Sequence, residues 1–144
     1  MFQNKKKLRL LFVPPILGLL IWGGVVVVGK LKEVKLSLPK IISVENYMRI
    51  EVKPVKLKPD QWISFQIQLD STQNKTALGI DLTKVALLVD DKNLAYSAGR
   101  WKPLKETEFS RIGLLTFPVS GTPKALKLSI FDFQERVFEW ETVK

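Results

Sequence analysis

The sequence predicts an all-β chain: an antiparallel two-sheet (Ig-like) sandwich of seven or eight strands, preceded by one N-terminal transmembrane α-helix. Three observations carry this expectation. Residues 10–29 hold no charged side chain and follow a basic head of Lys5, Lys6, Lys7 and Arg9. Beyond residue 46, apolar and polar residues alternate with period two, the signature of half-buried strands. Turn-forming residues recur about every 8 to 12 positions, with no amphipathic helical stretch between them.

The apolar run is roughly 20 residues long, which at 1.5 Å rise per residue matches a hydrocarbon core of about 30 Å. A cleaved signal peptide has a shorter apolar region, about 7 to 15 residues, and ends at a small-x-small site. Here the run closes with Val25, Val26, Val27 and Val28, a poor cleavage context, so an uncleaved anchor is expected. Pro14 and Pro15 fit the first turn of such a helix, where their missing donors have no intrahelical partner. Positive charge before the span favours a cytoplasmic N-terminus, although Lys30, Lys32, Lys35 and Lys40 on the other side narrow the margin. The expected organisation is a basic cytoplasmic head (1–9), a transmembrane helix (10–29), a stem (30–45) and a β-sandwich domain (46–144). That makes a single-pass protein of the cell membrane with its C-terminal domain extracytoplasmic.

Within the stem, Val34, Leu36 and Leu38 alternate with Lys35 and Ser37, an edge-strand pattern that Pro39 ends. Met48, Ile50 and Val52 then alternate with Arg49, Glu51 and Lys53, and Ile63, Phe65, Ile67 and Leu69 with Ser64, Gln66 and Gln68. Pro59-Asp60 between these runs predicts a turn and an antiparallel pair. Leu78, Ile80 and Leu82 predict a further strand, followed by an apolar run at 85–89, a tight turn at Asp90-Asp91-Lys92-Asn93 and a return through Leu94 and Tyr96. Residues 97–111 read as a long loop containing Gly99, Trp101 and Pro103. Strands are expected again at 113–117, around Leu126, Leu128 and Ile130, and at Phe138 and Trp140.

The chain has 144 residues and a formal net charge of +9, much of it in the head. What remains after the anchor suffices for one domain with one modest core. It contains no Cys and no His, which excludes disulfides, thiolate metal sites and a cysteine nucleophile, and removes the commonest general base near neutral pH. No basic run interleaved with aromatics follows residue 40, so nucleic acid is not expected as a partner. Juxtamembrane Lys30, Lys32 and Lys35 favour contact with anionic lipid head groups of the bilayer.

Several local patterns together resemble a known group. Thr72-Gln73-Asn74, Tyr96, Trp101, Arg111-Ile112-Gly113-Leu114-Leu115-Thr116-Phe117-Pro118 and Arg136-Val137-Phe138-Glu139-Trp140 occur in that order. The order resembles an uncharacterised family of membrane-anchored extracytoplasmic β-sandwich domains of bacteria and archaea, and covers about half the chain. The resemblance implies a β-sandwich fold and, through that family's histidines, a metal-handling capacity. This chain has Gln73, Phe109 and Ser110 at the corresponding positions, which are poor ligands for copper or zinc, so no metal or other cofactor is expected.

No catalytic constellation is expected. A Ser/Lys mechanism needs a desolvated lysine, and the lysines here, like those near Ser43, sit at polar positions or beside turns. Asp90-Asp91-Lys92-Asn93 lacks the ligand spacing of a calcium loop and carries the residues that a tight turn requires. The expectation is a non-enzymatic, membrane-anchored domain that binds a protein partner or scaffolds an envelope assembly. The alternative is a ligand-binding or degenerate metal-handling accessory domain for a membrane enzyme. Trp101, flanked by Arg100 and Lys102, is the candidate partner-binding site, because aromatics and Arg are enriched at contact hot spots.

Overall fold

A computed structural model of the chain describes residues 32–72, 78–132 and 134–141. The predicted membrane span lies outside the described residues, as do the head and Gln73. Among the described residues no helix is long and apolar enough to cross a membrane.

The domain is all-β, with two antiparallel sheets. In chain order the strands are β1 (Val34–Lys35), β2 (Ile41–Glu45), β3 (Met48–Lys58), β4 (Trp62–Ser71), β5 (Ala86–Asp90), β6 (Ala95–Ser97), β7 (Arg100–Glu106), β8 (Ser110–Pro118), β9 (Leu126–Phe131) and β10 (Glu135–Trp140). One helical turn, α1 (Leu82–Val85), precedes β5. The larger sheet runs β1-β3-β4-β8-β7, with β2 also paired to β3, and the smaller runs β10-β9-β5-β6.

The longest strands follow the alternation read from the sequence. Met48, Ile50 and Val52 on β3 and Ile63, Phe65, Ile67 and Leu69 on β4 are buried, facing Leu88, Leu128, Ile130 and Phe138 of the small sheet across one core. Full burial of each such side chain contributes about 1.5 to 3 kcal/mol. Phe65 meets Phe117 edge to face at 5.7 Å and lies 5.7 Å from Trp140, whose indole donates to the Pro39 carbonyl at 2.8 Å.

The described residues hold ten strands where seven or eight were expected. The edge strand read within the stem is present as β1, and the same segment adds β2; the two pair with the two ends of the same edge of β3. Between them β3 carries a bulge at Pro54/Lys56, where proline offers no donor and the Leu36 amide bonds the Val55 carbonyl at 2.9 Å. The strand expected through Leu78, Ile80 and Leu82 is instead a short helical segment. Asp81 caps α1 by accepting from the Thr83 amide at 3.0 Å and hydroxyl at 2.6 Å, and Leu78 and Leu82, four apart, both reach the core. These Thr83 bonds, the hydroxyl foremost, hold the Asp81 carboxyl below its ordinary range. Finally, the middle of the loop expected at 97–111 is β7, an edge strand that accommodates Pro103 through a second bulge at Pro103/Lys105.

A buried arginine fastens the small sheet to the large one. Arg136 on β10 is 2% exposed and donates from Nε and Nη2 to Asp132 at 3.1 and 2.9 Å. Its remaining donors reach the carbonyls of Ser43 at 3.1 Å, Met48 at 3.0 Å and Glu45 at 2.8 Å, on the β2–β3 hairpin. The guanidinium is thereby fully satisfied, which burial of a permanent charge demands.

Candidate functional site

The feature with the most chemical character is the outer face of the large sheet. Strand register sets its rows. Lys35, Lys56, Ser64, Thr116 and Arg100 stand opposite one another across β1, β3, β4, β8 and β7. The next row is Lys53, Gln66, Leu114 and Lys102, and the one beyond it Glu51, Gln68, Ile112 and Lys105. Cations therefore border the face on both sides, while its centre is neutral and is closed by the Ser64–Thr116 hydroxyl bond at 3.3 Å.

Toward the β2–β3 hairpin the charges pair off. Glu51 accepts Lys40 at 2.9 Å and Arg49 at 2.7 Å, and Asp70 lies 3.6 Å from Arg49 and accepts Ser110 Oγ at 2.6 Å. Nearer the Pro59-Asp60 turn the balance is different. There the face has Lys35, Lys53, Lys56 and Lys58 on one side and Arg100 and Lys102 on the other, with, among the described residues, only a 3.8 Å contact from Glu33 to Lys56. Between the two regions lies a hollow of about 380 Å³ lined by Lys40, Glu51, Lys53, Gln66 and Gln68.

The three residues singled out in the sequence separate. Arg100 and Lys102 are exposed on this outer face, but Trp101, between them, points the other way and packs against the core edge. It lies over Gly113, where a Cβ would come within 2.6 Å of both its ring and the Lys102 carbonyl. Arg111 stacks 5.3 Å from the ring centroid, bonds the Leu78 carbonyl and, at 2.9 Å, that of Ile80, and lies 3.4 Å from Glu106. The indole Nε1 is buried without a hydrogen-bond partner among the described residues. Trp101 thus closes the sandwich over a glycine; its flanking cations face solvent.

Other candidates are absorbed by local structure. Ser43 Oγ accepts from Arg136, a cation that cannot serve as a base. Asp90 accepts the amides of Lys92 and Leu94 at 2.8 and 3.0 Å and the Tyr96 hydroxyl at 2.9 Å, so its carboxylate organises the turn. Among the described residues no three His, Cys, Asp or Glu side chains are grouped to hold a metal ion.

The outer face of the small sheet has a different character. Its rows are Glu139, Lys127, Val89 and Ala95, then Val137, Ser129, Leu87 and Ser97, with Phe131 opposite Glu135 at the end of β9. Phe131 and Val137 are 44% and 43% exposed. Neither outer face was read from the sequence as a site; the signal was the alternation itself, taken for the outward rather than the inward positions.

No family model and no curated protein matches the sequence. Among solved structures the domain is similar to a DUF4426 family protein from Pseudomonas aeruginosa. The two chains are 7% identical, the alignment covers 72% of this chain and 96% of that one, and the TM-score is 0.42.

Proposed function

We propose that this chain is a non-catalytic, membrane-tethered β-sandwich whose domain lies outside the cytoplasm and binds a protein partner, acting as an adaptor or scaffold in the cell envelope. The observation that carries the reading is the outer face of the small sheet. A solvated antiparallel face ordinarily alternates to polar residues, whereas here Leu87, Val89, Phe131 and Val137 are set outward among Lys127, Ser129, Glu135 and Glu139. Exposed apolar side chains rimmed by polar ones in this way suit a protein contact. The tether is supported by the charge-free run at residues 10–29 behind a basic head.

The test is site-specific photo-crosslinking of the full chain in intact membranes. A crosslinker replacing Val137 should yield a discrete protein adduct that Phe131→Glu abolishes, while one replacing Gln66 on the opposite face should not yield that adduct. Equal labelling of the two positions, or none at Val137, would count against the reading.

A further inference from the structure

We infer that the outer face of the large sheet is a docking surface for the anionic surface of a lipid bilayer, so that the domain lies against the membrane to which it is tethered. Two borders of cations carry the argument. Lys35, Lys53, Lys56 and Lys58 stand on β1 and β3. Arg100, Lys102 and Lys105 stand on β7, three strand spacings from β3, or about 14 Å away. Apart from Lys56, these seven form no ion pair among the described residues, and all but the half-buried Lys58 are exposed.

The middle of the face is short and neutral, made by Ser64, Thr116, Gln66 and Leu114. Such a surface does not match a single phosphate, because the hollow on this face is also lined by the Glu51 carboxylate, which accepts Lys40, and the other cations do not converge on it. It matches a plane of negative charge, with cations spread over two borders and uncharged side chains between them. Single-stranded nucleic acid is matched less well, because Trp62 at the margin is the only aromatic in these rows and base stacking requires a series of them.

The position of the face in the chain points the same way. Lys35 belongs to the first strand after the basic juxtamembrane segment, so the cationic half of the face is continuous with Lys30 and Lys32 in sequence. The acidic groups that could oppose docking, Glu51 and Asp70, are already paired with Lys40 and Arg49 at the far half. Docking on this face leaves the outer face of the small sheet directed away from the lipid. The inference rests on the tether of the preceding proposal, but not on the protein partner.

The experiment uses the full chain reconstituted in nanodiscs. Because the sequence contains no cysteine, a single fluorophore can be placed by Gln66→Cys at the centre of the face, or by Ser97→Cys on the small sheet. The quencher is carried on lipid head groups. With phosphatidylglycerol in the disc the position-66 label should be quenched and the position-97 label should not. Quenching should be lost in phosphatidylcholine discs and at high salt.

Lys53→Gln combined with Lys102→Gln should lower the ratio of docked to undocked molecules about 25-fold, at roughly fivefold per charge removed. Both side chains are exposed, and near-UV circular dichroism checks that the fold persists. Quenching that is equal at the two positions, or indifferent to lipid charge, overturns the inference. So does displacement of the face from anionic discs by stoichiometric single-stranded RNA, which would assign it to nucleic acid. Failure to reconstitute at all would sink the tether, a result separable from failure of the face to dock.

Discussion

The two outer faces of the sandwich are built by the same alternation and end in opposite chemistry. On the large sheet the outward positions of β3 and β7 include Lys53, Lys56, Arg100 and Lys102; on the small sheet Leu87, Val89 and Val137 stand outward among Lys127, Ser129, Glu135 and Glu139. Each sheet needs only one apolar face to fold, and the inner faces supply it through Phe65, Phe117, Leu88 and Phe138. The outer faces are free to vary without cost to the core. Their difference, cationic borders on one and mixed apolar and charged residues on the other, is what the two proposals rest on.

The sharpest way to break the comparison is to break the frame that holds the faces apart. Arg136 joins β10 to the β2–β3 hairpin, and Arg136→Met leaves Asp132 buried and unpaired and strips the donors from three carbonyls. The expected loss is about 3 to 5 kcal/mol, read as a lowered denaturation midpoint with unchanged slope. Adding Asp132→Leu should recover only part of it, since the carbonyls of Ser43, Glu45 and Met48 stay without their donor. Full recovery would show that these carbonyl bonds contribute nothing.

A smaller change should disturb one face only. Gly113→Ala puts a methyl within 2.6 Å of the Lys102 carbonyl and the Trp101 ring. The expected cost is about 1 to 3 kcal/mol. Because β7 must shift to relieve the contact, amide exchange should quicken in β7 and stay unchanged in β5 and β9. Trp101→Leu in the same background relieves the ring but not the backbone contact, so it should restore less than the full loss.

These residues also show what a linear reading reaches. Ile63, Phe65, Ile67 and Leu69 were legible because one strand holds the whole pattern. Trp101 was legible in principle, since Arg100 and Lys102 on either side force it inward once the segment is a strand; Gly99 and Pro103 made the segment read as a loop. Leu78 and Leu82 fit a helical spacing as well as an alternating one, and the Asp81 cap decided between them. Arg136 carried no local sign of its role, for its carbonyl partners lie 88 to 93 positions away. The cationic face was illegible for the same reason, because Lys35, Lys56 and Arg100 come into one row only through the register of β1, β3, β4, β8 and β7.

The contrast between faces can be sharpened by charge alone. Glu51 neutralises Lys40 and Arg49, so Glu51→Gln adds one net positive charge to the large sheet and leaves the small sheet untouched. Docking on anionic discs should strengthen about fivefold, with no change in crosslinking from Val137. A weaker response would mean that the Glu51 carboxylate is needed to keep the two cations in place.

The least expected effect is confined to the apolar sheet and appears only in alkali. Tyr96 on β6 donates to Asp90 at 2.9 Å and accepts the Ser120 amide at 3.3 Å. Loss of solvent raises its pKa, and the Asp90 carboxylate adds to this, while the Ser120 amide acts in the opposite sense. A group whose folded value is raised contributes stability that is fully present below its unfolded value, about 10 for a tyrosine, and is lost as pH climbs through the folded value. Wild type should therefore lose stability faster than Tyr96→Phe as pH rises above about 10, the unfolded tyrosine value. Lysine titration is common to both and cancels in the difference. A constant gap between the curves would show that the hydroxyl contributes through packing or hydrogen bonding without a proton being involved, and that β6 is held to its turn independently of pH.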